Sequence, residues 1–482
     1  MRWRAIIKVL GVIIGLMALT KLPSLVVALA LDEPTVTVFA GSFCFTALVG
    51  SAMWWPCRHS SYQMRLRDGF LIVTLTWVAA SLVSSLPFMA GPPHLSFANA
   101  VFEATSGLTT TGATVISGLD TLPKSMLLYR QVLQFFGGMG IVILAVAILP
   151  MLKIGGTQLF RAETTGPSRD SKLTPRIGET AKALWLVYSG LTALCAIAFW
   201  VAGMSMFDAI CHALSTVSTG GFSTYDAALG HWDSQLIELV AIIFMILGGI
   251  NFSLHFVAWR SASVNHYFLD SELRGYLGIL GGASLLLAVI LWWGQDYSSI
   301  SQSLRFGTLM VVSAMTTTGF AVSGFDAWAG IAPMLLMMVA VIGGCSGSTV
   351  GGLKVARVIM VLRHGMREVR QLVHPKGQFL VKMGGKRVSE SVVLSVSGFI
   401  TLWMVCAVLL WLGFITAGLD MKSAFGAMIA TLTNLGPGLG EVAYTFGTVG
   451  DAAVWLGTLG MLLGRLEVFS ILVLLTPTFW RE

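Results

Sequence analysis

Ten stretches of this chain are each apolar over the roughly 20 residues that a membrane-crossing helix needs. They are 5–31, 35–55, 70–90, 126–152, 183–203, 235–259, 275–294, 329–360, 392–416 and 452–478. No other feature constrains the fold as strongly. Lipid offers nothing to bond a bare N–H or C=O. Spanning segments must therefore be helices, and irregular backbone at that depth must be buried in protein or line a wet cavity. Of the 482 residues, 55% are hydrophobic and 11% are charged, against about 25% charged in soluble domains. A soluble enzyme and a disordered chain are both excluded. The first stretch follows Arg2, Arg4 and Lys8. It is too long for a signal-peptide core and lacks a small-residue cleavage site, so it reads as a span. The expected fold class is an all-α integral membrane protein with ten transmembrane helices.

Charge placement orients the chain. With the N-terminus in the cytoplasm, 24 of the 30 basic residues fall on the cytoplasmic side. They include Arg58, Arg65 and Arg67, the group Lys153, Arg161, Arg169, Lys172, Arg176 and Lys182, and a dense stretch over 354–387. This asymmetry puts both termini in the cytoplasm. It also accounts for the net charge of +7 without nucleic acid as a partner. Acidic residues favour the outer side, where they would concentrate cations. The six cysteines are scattered and show no zinc spacing.

Four outer links, 92–124, 204–234, 295–328 and 417–451, are too long for hairpins and too apolar for solvated loops. Each opens on a short apolar helix-like run and then turns rich in Thr and Gly. They align on Gly112, Gly220, Gly319 and Gly436, at gaps of 108, 99 and 117 residues. An acidic residue follows each glycine: Asp120, Asp226, Asp326 and Glu441. A run of about 12 residues cannot span, but it can dip into the membrane and let an extended strand climb back. Four such strands about one axis present rings of carbonyl oxygens that replace the hydration shell of an alkali cation. Glycine permits the φ values that inward-facing carbonyls require. The chain thus divides into two N-terminal helices (1–67), repeats at 68–155, 180–260 and 272–362, a basic cytoplasmic linker (363–388), and a fourth repeat (389–482).

Four covalently joined span–pore helix–span units with TxG-like strands resemble the Trk/Ktr/HKT superfamily of potassium uptake proteins, over about 68–478. The two additional N-terminal spans resemble its TrkH/TrkG branch. The resemblance implies a pseudo-fourfold pore like that of potassium channels, with potassium as substrate and no bound cofactor. Its filter would comprise Thr110, Thr111 and Gly112; Ser218, Thr219 and Gly220; Thr317, Thr318 and Gly319; and Asn434, Leu435 and Gly436. None of these glycines is a serine, the change that accompanies sodium transport in plant relatives. The implied location is the bacterial inner membrane, surrounded by lipid. The implied partners are a second copy of the chain and a cytoplasmic TrkA-like nucleotide-binding ring, for which 354–387 is a candidate docking surface.

Two features lie beneath the strands. The eighth stretch would be about 48 Å long as a helix, yet its middle reads GGCSGSTVGG. Gly343, Gly344, Ser346, Gly347, Ser348, Thr349, Gly351 and Gly352 are a poor helix interior, so the segment is expected to unwind beside a cavity. In the resembling family the matching segment closes the pore. Arg465 lies mid-span, where a charge is a functional residue by default, and is expected to face the path below the filter. Glu467, two residues on, does not share its helix face.

No nucleotide-binding motif marks an ATP-driven pump, and no hydrolase spacing surrounds the serines. An ion-coupled symport by alternating access is the alternative. That class often pairs inverted repeats with midplane acids, whereas these repeats run parallel and their acids lie at outer ends.

Overall fold

The computed structural model describes residues 3–59, 66–152, 177–321 and 324–481. Arg2, Arg65 and the basic link carrying Lys153, Arg161, Arg169, Lys172 and Arg176 lie outside them. Among the described residues, six helices are long and apolar enough to cross a membrane: Trp3–Ala30, Val36–Cys57, Arg67–Ala90, Lys182–Val201, Ser271–Trp293 and Glu390–Thr416. There are eight if each of two bent pairs is one span. All ten apolar stretches contain helix, but the sixth, eighth and tenth are interrupted, and the breaks in the sixth and tenth were not expected.

The sixth stretch is Gln235–Gly248 and Phe252–Arg260, bent by 93°. The tenth is Asp451–Arg465 and Phe469–Leu475, bent by 111°. The eighth divides into Ala332–Ile342 and Val355–Val373, with non-helical chain over 343–354. Each break has a local cause. Asn251 restarts the sixth stretch by accepting the Ser253 N–H at 2.8 Å, an N-cap. Glu467 and Val468 take positive φ at the tenth. Glycine density breaks the eighth, as its composition predicts. The fourth stretch is one long helix, Lys124–Leu152.

Each outer link opens on a helix: Phe97–Leu108, Met206–Val217, Ile300–Met315 and Met421–Leu432. All four begin on a side-chain cap, from Ser96, Ser205, Ser299 and Asp420. Hydrogen bonds from Ser423 and Lys422 hold the Asp420 carboxyl below the usual carboxylate range.

The link helices close a cycle. The first packs on Lys124–Leu152 of its own repeat and on Asp451–Arg465 of the fourth. The second packs on Lys124–Leu152, the third on Gln235–Gly248, and the fourth on Ala332–Ile342. Each therefore touches the repeat before it. The N-terminal helix Trp3–Leu19 lies outside this ring, against Val36–Trp54 and Leu66–Ser84.

Candidate functional site: a ring of four strands

The four link helices end alike. The N–H of Thr111, Gly220, Thr318 and Leu435 donates to the carbonyl five residues back, on Ser106, Ser215, Ser313 and Ala430, at 2.8–2.9 Å. The preceding N–H groups, of Thr110, Thr219, Thr317 and Asn434, bond three residues back. This paired closure needs a left-handed residue between helix and exit. Here that residue is Thr110 (φ 52°), Thr219 (φ 55°), Thr317 (φ 47°) or Asn434 (φ 56°). A β-branched residue in this region is an outlier and costs on the order of 1–3 kcal/mol. Three threonines at one register therefore require a compensating contact.

Two residues on, φ is positive again, at Gly112 (79°), Gly221 (75°), Gly319 (80°) and Gly436 (99°). Left-handed residues thus alternate with the one between them. In ordinary extended chain successive carbonyls point to opposite sides, and this alternation turns them toward the same side.

The register corrects one assignment. In the second repeat the counterpart of Gly112 is Gly221, and Gly220 corresponds to Thr111. The sequence TGG offers two glycines, and matching the Thr–Gly step selected the earlier one.

Close approach explains why these positions are glycine. A methyl on Gly112 would strike the carbonyl oxygen of Gly220, and one on Gly221 that of Thr318. A methyl on Gly319 would strike that of Leu435, and one on Gly436 that of Thr111. The four contacts run from each repeat to the next and close on the first. Each link helix also directs its C-terminal, negative dipole end into this ring, which favours a cation there.

Below the ring, segment 343–354 contacts two of the three strained threonines. The Thr317 hydroxyl accepts the Gly351 N–H at 2.8 Å, and Thr219 Oγ1 donates to Thr349 Oγ1 at 3.1 Å. The Gly352 N–H donates to the Thr433 carbonyl at 3.1 Å. The segment therefore touches the second, third and fourth strands. Gly343, Gly347 and Gly352 take positive φ within it, and Ser348 Oγ donates to the Cys345 carbonyl at 2.6 Å. The Cys345 N–H donates to the Gly249 carbonyl, exposed by the break in the sixth stretch. Glu272 accepts the Ser346 N–H at 2.7 Å and the Ala356 N–H at 3.2 Å, clasping both sides of the segment.

Arg465 is buried and donates to the Thr349 carbonyl at 2.9 Å and the Gly137 carbonyl at 2.7 Å. It thereby bonds the irregular segment, whose free carbonyls suit a guanidinium with five donors. Glu467 pairs instead with Arg357, at 2.6 Å.

The outer acids divide into two kinds. Asp226 accepts the N–H groups of Gly118 and Leu119 at 2.9 and 3.1 Å. Asp326 accepts the Gly440 N–H at 3.0 Å and pairs with Lys422 at 2.8 Å. Both tie neighbouring links together. Asp120, Glu441 and Asp226 are exposed and Asp326 is half-buried, so the ties, not exposure, set Asp226 and Asp326 apart.

Sequence reasoning missed Glu103, Arg130, Gln134 and Glu272. Arg130 lies near the outer end of the 126–152 stretch and so counted among the outer charges, whereas the structure buries it. A carboxylate within an apolar link, Glu103, was the available signal.

Residues 35–481 match the TrkH family, described as cation transport proteins. Over the full length of both chains, this protein is 47% identical to the Trk system potassium uptake protein TrkH of Vibrio parahaemolyticus. It is 44% identical to that of Escherichia coli K12, again over all of both chains. The Trk system potassium uptake protein TrkG of Escherichia coli K12 is 37% identical over 99% of each chain. The crystal structure of the potassium transporter TrkH from Vibrio parahaemolyticus matches with a TM-score of 0.91 at 45% identity, covering 100% of both chains. With a family match over nearly all its length and relatives of this identity, the chain belongs to the TrkH family of cation transport proteins.

Proposed function

We propose that this chain is the membrane subunit of a Trk-type system and carries potassium inward across the bacterial inner membrane. The four link helices act as pore helices, and the ring they lead into is the selectivity filter. The closed cycle of glycines, each against the next strand's carbonyl, carries this reading. It supplies four similar carbonyl edges around one axis, at positions that tolerate no side chain. A dehydrated alkali cation is the ligand that such a ring accommodates. The filter set is Thr110, Thr111 and Gly112; Thr219, Gly220 and Gly221; Thr317, Thr318 and Gly319; and Asn434, Leu435 and Gly436, with Ser218 at the helix end below.

Segment 343–354 is the gate in this reading. It bonds to three strands beneath the ring and is held by Arg465, whose charge also repels a cation waiting there. A cytoplasmic nucleotide-binding partner and a second copy of the chain complete the system. The stretch 354–387 is the docking surface for the partner. The bent sixth and tenth stretches favour a second reading, ion-coupled symport, because coupled transporters use discontinuous helices at their sites.

The deciding experiment is potassium uptake in a potassium-requiring bacterial strain, with and without the nucleotide-binding partner, followed by electrical recording of the purified protein. Partner-dependent growth at low potassium supports the assignment, and absence of uptake overturns it. Single-channel current separates a channel from a symporter, which accumulates its ion without such current.

A further inference from the structure

We propose that the buried pair Glu103–Arg130 is a positioning element that sets the spacing of the first two filter strands and so contributes to discrimination against sodium. The proposal rests on the filter reading above.

Both side chains are sealed from solvent, at 0% and 1% exposure, with Arg130 Nε 2.8 Å from Glu103 Oε1. Glu103 also accepts the Thr114 hydroxyl at 3.0 Å and the Val115 N–H at 3.0 Å, just beyond Gly112 on its own strand. Arg130 reaches the neighbouring strand. It donates to the Ser223 carbonyl at 3.1 Å and lies 4.0 Å over the Phe222 ring, just beyond Gly221. It also donates to Thr114 Oγ1 at 3.0 Å. One turn along the same helix, Gln134 donates to the Gly220 carbonyl at 2.6 Å and accepts the Phe222 N–H at 3.1 Å. A single helix of the first repeat thus grips two adjacent strands at five groups.

Repeat equivalence sharpens the case. Nine residues before the ring glycine stand Glu103, His212, Met310 and Ala427; two residues after it stand Thr114, Ser223, Ala321 and Gly438. Glu103 bonds Thr114, and His212 Nε2 bonds Ser223 Oγ at 2.9 Å. The third and fourth repeats carry residues without polar side chains at both positions. Polar tethers at this register therefore serve the first two strands only. An ion pair this buried is weak evidence of stabilisation, because apolar replacements often serve stability as well. A directional tether fixes position, and an apolar contact does not.

The test is rubidium uptake at rising sodium in proteoliposomes, normalised to folded protein, for Glu103→Gln, Arg130→Gln and the double variant. Gly112→Ser serves as control. We expect each single variant to lower the sodium inhibition constant at least fivefold relative to the apparent KM for rubidium. The double variant is expected to do no more than either single one, because the two groups act as one tether. A purely structural pair would reduce folded protein and maximal rate but leave that ratio alone. An unchanged ratio, within twofold, beside an altered Gly112→Ser control overturns this proposal and leaves the filter reading standing. An unchanged control overturns the filter reading and the proposal with it. Should the charge variants fail to fold, Thr114→Val removes one hydroxyl from the tether, and its ratio decides by the same criterion.

Discussion

The left-handed threonines are the residues at which local preference and fold disagree most sharply. Thr110, Thr219 and Thr317 occupy a region that glycine would enter without strain. Two of them use their hydroxyls to bond the segment beneath the ring, a contact that glycine lacks. The ring glycines show the opposite logic, with no room for a side chain. We expect Gly112→Ser and Gly319→Ser to let sodium compete more effectively for rubidium uptake, by about tenfold in its inhibition constant. Unchanged sodium inhibition in both, at normal expression, removes these residues from the filter. The register in the second repeat has its own test. Gly221→Ala is expected to abolish most uptake, because φ there is 75° and the Thr318 carbonyl blocks the methyl. Gly220→Ala meets the Gln134 side chain instead, and we expect it to retain several times more activity. Equal loss in both variants contradicts the register. In the sequence the TGG step could not distinguish these glycines, because the distinction lies in backbone φ and in the hydrogen bond to Ser215, five residues back.

Among elements, segment 343–354 carries the sharpest expectation. Its glycines and hydroxyl residues announced an unwound stretch, and the apolar flanks set its depth. Its contacts to three strands were not legible, because they join residues far apart in the chain. The breaks in the sixth and tenth stretches were missed for a related reason. Each falls within an otherwise continuous apolar run, and its cause is a cap at Asn251 or two left-handed residues at Glu467 and Val468. We expect deletion of 346–349, or Arg465→Ala, to raise potassium flux in proteoliposomes without a cytoplasmic partner. Arg465→Lys is expected to raise it less, since the charge remains while the fork that reaches both the Thr349 and Gly137 carbonyls is lost. Flux that stays level or falls on deletion would make the segment packing alone.

For the whole molecule, the outer acids separate a surface field from a scaffold. Asp120 and Glu441 are exposed, and we expect Asp120→Asn with Glu441→Gln to raise the apparent KM and weaken its dependence on ionic strength. Asp226 and Asp326 hold neighbouring links through backbone N–H groups. Asp226→Ala and Asp326→Ala are expected to lower thermal stability by about 0.5–1.5 kcal/mol each, the net worth of a typical hydrogen bond. A melting temperature unchanged in both would show that these stitches are dispensable. The sequence placed all four acids on one side but could not divide them, because the division depends on which link each carboxylate reaches.

The four contacts of the ring belong to one polypeptide and involve different residues in each quarter. A pore assembled from four identical subunits receives every mutation four times over, so its mouth is altered in all quarters or in none. Here a single codon change reaches one quarter and leaves three intact. On the filter reading proposed above, ion preference in such a chain is adjustable in graded steps, one quarter at a time. Neighbouring quarters of one polypeptide can also carry unlike supports: here an ion pair stands behind the first two strands, and the Ser313 hydroxyl holds the Phe320 carbonyl of the third.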